Sequence, residues 1–188
     1  MLAHLNGQTV NYSALASSLD ITGTTVKSYI DLLASTYMLE VIPPWFSNLG
    51  KRLVKAPKVY IADSGLTASL LGLRSYVELL GHPAAGAVWE QTVIANLRGH
   101  FPDAEFYHYR TAAGSELDLV VRRRQRTVAV ECKFSMSPAL GKGNYLALED
   151  IKPAHTFVVA PVKQGWSMAH GIDTVSVPEL IVALRKRL

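Results

Sequence analysis

Apolar and polar positions in the first sixty residues change period twice. Leu15, Ala16 and Leu19 lie on one helical face, and Asn11 is a good N-cap for a helix over Tyr12 to Leu19. Asp20-Ile21-Thr22-Gly23 is turn chemistry, with Thr22 placed to cap a second helix over Thr24 to Thr36. Val26, Tyr29, Ile30 and Leu33 form its predicted buried stripe, while Thr24, Thr25, Lys27, Ser28 and Asp31 face outward. Met38 to Ile42 then reads as a strand stopped by Pro43-Pro44, and Lys58 to Ile61 as a second strand. Their connection carries Lys51, Arg52, Lys55 and Lys58, a basic loop placed as a wing would be. Residues 1–62 therefore predict a winged helix-turn-helix. Such a unit reads DNA or docks a partner. Lys27 is the one base on the outward helix face, where a strong DNA reader carries more charge.

Residues 63–188 have a different texture. Asp63 or Ser64 can cap a helix over Leu66 to Leu71, a role that suits Asp63 better than catalysis does. A longer helix covers Ala87 to Leu97, with Gly99 closing it. Phe106 to Arg110, Leu117 to Val121, Val128 to Phe134 and Thr156 to Ala160 are strand-like; Tyr145 to Asp150 and Pro178 to Arg187 are helical. That order predicts an α/β layer, a mixed sheet flanked by helices that opens with hairpins and ends with a crossover.

The chemistry lies in two of those strands. They are almost wholly apolar, apart from Asp118 in one and Glu131 and Lys133 in the other. A charge in a strand buried on both faces is costly unless it is paired or metal-bound. Glu131 and Lys133, two apart, share a face, and Cys132 points into the apolar layer. A hairpin symmetric about Arg124 and Gln125 sets Asp118 opposite Glu131, with Cβ atoms about 5 Å apart. Carboxylates that close repel unless a cation lies between them, and a hard divalent ion fits. Glu90 heads the sheet-facing stripe of its helix, with Val93, Ile94 and Leu97. The bland alternatives are a helix-dipole role for Glu90 and a buried ion-pair network for the other three.

Composition narrows the classes. The 188 residues are 49% hydrophobic and 18% charged, enough apolar surface for one domain or two small ones. There is no apolar run long enough to span a membrane and no secretory pattern at the start. A single cysteine, Cys132, favours a reducing cytoplasm and excludes an intrachain disulfide. The net charge of +4 is compatible with nucleic acid. The six histidines include no i, i+4 pair, which argues against a His-based zinc site, and Ser64 lacks a nucleophile elbow. The basic turn with Arg122 and Arg124 is a phosphate contact or a solvated tip. Arg185-Lys186-Arg187 reads as a solvated helix end, and Trp45, Phe46, Trp89 and Trp166 as core or interface anchors.

Glu90, Asp118 and Glu131-Cys132-Lys133 resemble the signature of the PD-(D/E)XK, or restriction-endonuclease-like, superfamily, with Leu117 before Asp118 where many members have Pro. Asn48 to Tyr60, Asp63-Ser64-Gly65-Leu66, Gly86-Ala87-Val88-Trp89-Glu90, Tyr109-Arg110-Thr111 and Gly114 to Asp118 are similar to an uncharacterised prokaryotic domain that follows AAA-type P-loop ATPase domains. The resemblance implies a winged helix joined to a nuclease-like domain, C-terminal to such an ATPase. The function expected is a divalent-metal-dependent DNA phosphodiesterase; the alternative is a non-catalytic DNA- or partner-binding module that regulates or docks the ATPase. It implies Mg²⁺ or Mn²⁺ at Asp118, Glu131 and Glu90, with Lys133 as a further catalytic residue. Candidate DNA contacts are Lys27, Lys51, Arg52, Lys55, Arg122 and Arg124; a homo-oligomer is a further candidate assembly. Neither Gly50-Lys51 nor Gly141-Lys142 completes a P-loop, so the ATPase is expected outside this sequence, and the abrupt start at Met1 reads as a fragment or a truncation.

Overall fold

A computed structural model describes residues 1–46 and 52–188, the side chain of His170 excepted. The expected DNA contact Lys51 lies outside the described residues. A short 3-10 helix, Leu2–Leu5, leads into β1 (Gln8–Thr9), α1 (Tyr12–Leu19), α2 (Gly23–Ser35), β2 (Leu39–Ile42) and β3 (Lys58–Ile61). Both helix starts follow their caps: Asn11 accepts from the Ala14 amide at 3.0 Å and Thr22 from the Thr25 amide at 3.1 Å. The strands form an antiparallel sheet in the order β1-β3-β2. Leu15, Ala16, Val26 and Ile30 pack on it with Val59 and Ile61.

Two apolar residues assigned to buried faces are in fact exposed, Leu19 at 48% and Tyr29 at 55%. The eight-residue α1 is too short to cover the flank of α2, so only the narrow Val26–Ile30 stripe is sealed.

The chain continues through α3 (Ser64–Leu70), α4 (Tyr76–Leu80), α5 (Ala85–His100), β4 (Glu105–Arg110), β5 (Glu116–Arg123), β6 (Arg126–Cys132), α6 (Lys142–Ile151), β7 (His155–Val159), β8 (Trp166–Ser167), β9 (Ile172–Val175) and α7 (Val177–Arg187). These strands make a six-stranded mixed sheet in the order β4-β5-β6-β7-β9-β8. β4, β5 and β6 are antiparallel neighbours, and α6 carries the crossover to β7, parallel to β6. Arg123 pairs with Arg126 around a two-residue turn in which Arg124 takes a left-handed φ of 57°. That turn fixes the β5–β6 register. Helices α5 and α7 seal one side of the sheet through Val93, Ile94, Leu97, Leu180 and Leu184 against Leu119, Val121, Val130 and Phe157. On the other side Ala147 of α6 packs with Tyr109, Val120 and Ala129.

Differences from the sequence expectation have local causes. Strands β1 and β8 are two residues long and show no period. Asp173 interrupts the apolar run of β9, held by His155 at 2.8 Å and by Ser167 at 2.6 Å. Helix α5 passes through Gly99 and stops at the buried Phe101. Phe46 and Trp166 are exposed at 64% and 43%, so neither is a core anchor. Trp89 is one, its indole donating to the Val159 carbonyl at 3.1 Å.

The two sheets are tied together. The segments after β2 and before β3 run along the edge of β4, through bridges Pro44–His108 and Leu53–Thr111, and so cover an open strand edge. A buried polar cluster adds to this. Asn6 donates to Gln91 at 3.0 Å and accepts from the Ile61 amide at 2.9 Å, and Gln91 donates to the Ile61 carbonyl.

Candidate functional site

Strands β5 and β6 carry the acids that the sequence singles out. The ladder runs as far as Leu119 opposite Val130, which puts Asp118 and Glu131 next in line. They meet through the backbone: the Asp118 amide donates to Glu131 Oε2 at 3.2 Å, and the Cys132 amide donates to Asp118 Oδ2 at 3.0 Å. Lys133 reaches back to Glu131 Oε1 at 2.7 Å, and Asn144, at the start of α6, donates to the same oxygen at 2.9 Å. A second Asn144 bond, to the Glu116 carbonyl at 3.0 Å, fixes that helix end to β5. Cys132 packs against the apolar core, and burial pushes its thiol well above the ordinary range, which disfavours the thiolate at neutral pH.

The centre of the cluster is a residue assigned from sequence to the basic loop. Lys58, the first residue of β3, is only 3% exposed, and its ammonium faces three carboxylates. Nζ lies 3.1 Å from Glu90 Oε1, 3.3 Å from Glu116 Oε1 and 3.3 Å from Asp118 Oδ1. Tyr60, two residues on and on the same strand face, donates its hydroxyl to Glu90 Oε1. Lys58 is thus no part of an exposed wing; β3 points it into the junction between the two sheets. Lys58, Tyr60, Glu116 and Asn144 were missed as site residues. One signal for Lys58 was present: a charge at the head of an otherwise apolar strand needs a partner as much as Asp118 does.

Burial first, then the neighbouring Asp118, pushes the Glu90 carboxyl up to about 8, although Lys58 and Tyr60 pull it down. The same two causes push Glu131 up to about 7 against the pull of Lys133. For Lys58 burial opposes the charge, but Glu90, Asp118 and Glu116 outweigh it and hold the ammonium above its ordinary range. Glu116 has a further cation in Arg110, at 3.7 Å. For Glu90 and Glu131, burial and the nearby Asp118 favour the protonated form.

The acids are hard oxygen donors, right in kind for Mg²⁺ or Mn²⁺. Their oxygens are already engaged: both of Asp118, both of Glu131, and Oε1 of Glu90. Among the described residues no group of three or more His, Cys, Asp and Glu side chains is arranged to hold a metal ion. As arranged, the cluster does not fit a divalent ion, because Asp118 and Glu131 turn to separate lysines instead of sharing a cation.

The expected DNA contacts are scattered and partly neutralised. Lys27 is paired with Asp31 at 2.6 Å. Arg122 is clamped by Glu105 at 2.5 Å and by the Tyr107 hydroxyl at 3.0 Å, over the Trp45 ring. Arg52, Lys55 and Arg124 are exposed. A cleft of about 840 Å³ between β8, β9 and α7 shares no residue with the acid cluster.

Residues 85–180, just over half of the chain, match the family described as Domain of unknown function (DUF4143). The chain belongs to the DUF4143 family. In this DUF4143 chain the match takes in Glu90, Asp118, Glu131, Lys133 and Asn144. Residues 1–76, with Lys58 and Tyr60, match a second family, Domain of unknown function (DUF8612). An uncharacterised protein of Mycobacterium tuberculosis and one of Mycobacterium bovis are each 33% identical over 181 residues. The aligned region is 96% of this chain and 41% of each relative, so the chain spans well under half of their length. No helix among the described residues is long and apolar enough to cross a membrane.

Proposed function

We propose that this DUF4143 chain is a winged helix (residues 1–62) joined to a restriction-endonuclease-like domain (63–188), that it belongs C-terminal to an AAA-type ATPase, and that it works as a non-catalytic docking module for that ATPase. The order of the first unit, with the sheet β1-β3-β2 behind two capped helices, supports the winged helix. The β4-β5-β6 meander followed by a crossover to β7, with the signature acids on β5 and β6, supports the nuclease-like fold.

The observation that carries the docking role is the outward side of α2. Its one cation is neutralised by Asp31, and Tyr29 and Leu32 stand exposed beside it at 55% and 58%. An apolar cleft of about 340 Å³ lined by Leu15, Leu19, Tyr29 and Leu32 adjoins them. Such a face suits a protein partner better than a phosphate backbone. A second reading, an Mg²⁺- or Mn²⁺-dependent phosphodiesterase acting on DNA, is favoured by the gathering of Glu90, Asp118, Glu131 and Lys133 into one connected cluster. That reading requires the lysines to give way.

Calorimetry with the purified ATPase region and this chain tests the proposal. Low-micromolar association that Leu32→Glu abolishes, with no Mn²⁺-dependent nicking of supercoiled DNA, is the expected result. Nicking that disappears in EDTA and in Asp118→Asn overturns it in favour of the phosphodiesterase.

A further inference from the structure

We propose that Lys58 is a tethered cation: its ammonium takes the place of a divalent metal in a pocket made by Glu90, Glu116 and Asp118, and keeps that pocket closed to metal for as long as the N-terminal sheet is docked. This deepens the reading of the acid cluster as a nuclease-type site in a non-catalytic state.

Three carboxylate oxygens from two elements, α5 and β5, surround one point at 3.1 to 3.3 Å. Separations of that order are those of ammonium hydrogen bonds; a bound Mg²⁺ sits about 2.1 Å from its oxygens. An ammonium and a hard divalent ion ask for the same donors, so the two compete for one place. The competitor here is covalently held. Lys58 belongs to β3, which is paired on both sides, to β1 and to β2. The cost of bringing the ammonium to the acids is met by folding of the small sheet, and a metal in solution has to displace a charge whose local concentration is fixed.

The placement also has a direction. β3 links the N-terminal unit to α5 through the Ile61 bonds to Asn6 and Gln91 and the Tyr60–Glu90 bond, and Glu40 of β2 adds an ion pair with Arg98 of α5 at 3.2 Å. Moving that unit off α5 withdraws Lys58 and Tyr60 together and leaves Glu90 and Asp118 facing an empty pocket. Lys133 makes no such link; its bond is to Glu131, two residues away on its own strand.

Mn²⁺ binding by calorimetry and by electron paramagnetic resonance decides the matter in the full chain, in Lys58→Met, in Lys58→Arg and in the double variant Lys58→Met/Asp118→Asn. Near-isosteric and uncharged, Met should open one Mn²⁺ site per chain, at least tenfold tighter than any binding by the native chain. Arg keeps the charge and should not open it, and the double variant should lose it. Equal Mn²⁺ affinity in native chain and Lys58→Met, or no binding by a Lys58→Met protein with native circular dichroism, overturns the inference. Should Lys58→Met not fold, the native chain still gives an answer by nuclear magnetic resonance. The Asp118 and Cys132 amide signals should survive millimolar Mn²⁺, and their selective broadening at micromolar Mn²⁺ overturns the idea. Failure of the inference without DNA nicking leaves the docking role standing; native Mn²⁺ binding with nicking removes both.

Discussion

Replacing Lys58 by Met should cost this protein about 3–5 kcal/mol at pH 8, the range for removing one partner of a buried ion pair. Lys58 is 3% exposed, and the facing side chains of Glu90 and Asp118 are 11% and 15% exposed, so little water is present to take over. At about 3.2 Å and an effective dielectric near 20, each contact is worth roughly 5 kcal/mol before desolvation. The three contacts do not add, because a single ammonium makes them all. Glu116 is 35% exposed and contributes least. Protonation limits the loss in acid, where the orphaned glutamates can become neutral. At pH 5 the cost should fall to about 1 kcal/mol, the scale of a packing change. Urea unfolding followed by circular dichroism and tryptophan fluorescence reads this directly, and at about 2–4 °C per kcal/mol the pH 8 loss should lower Tm by roughly 6–20 °C. A loss under 1 kcal/mol at pH 8, or the same loss at both pH values, would refute the premise that Lys58 neutralises these acids.

Glu90 has a folded pKa raised from 4.5 to about 8, so its contribution is full below pH 4.5 and is lost as pH rises through 8; Glu90→Gln should flatten that decline in urea titrations from pH 5 to 9. His108 runs the other way: burial, and then Lys58, depress it from 6.5 to about 4, so stability should fall as pH drops from 6.5 to 4, and His108→Gln should remove about 2–3 kcal/mol of that slope. Asn144→Ala breaks two bonds that hold α6 to β5 and Glu131, and a loss of about 1–3 kcal/mol is expected, with faster amide exchange at the start of α6. Gly165→Ala drives a Cβ into the Thr174 carbonyl oxygen, and thermal melts should show about 1–3 kcal/mol of destabilisation.

What the sequence makes legible is local. Caps at Asn11, Thr22 and Asp63 act within three residues of themselves, and each is seen in place. The β5–β6 register follows from a two-residue turn, so Asp118 and Glu131 could be set side by side without coordinates. The same reasoning placed Lys58 wrongly, because its neighbours Lys51, Arg52 and Lys55 suggested a solvated run. Its real partners lie 32 to 60 residues away in sequence and are brought near only by the packing of the first sheet against α5 and β5. Tyr29 and Leu19 failed for a related reason: helical period says which residues share a face, and only the tertiary neighbours decide whether anything covers it.

The pairing of Lys58 with Glu90 and Asp118 bears on inheritance. A gene fusion that joined residues 63–188 to a different N-terminal unit would carry the acids and leave their counter-charge behind. The graft would bury carboxylates without their partner, a cost of several kcal/mol, until a replacement cation arose. A cut upstream of Leu2 would keep Asn6, Lys58 and Tyr60 with α5, so that both units travel as one cassette, even though two separate family descriptions divide the chain between them.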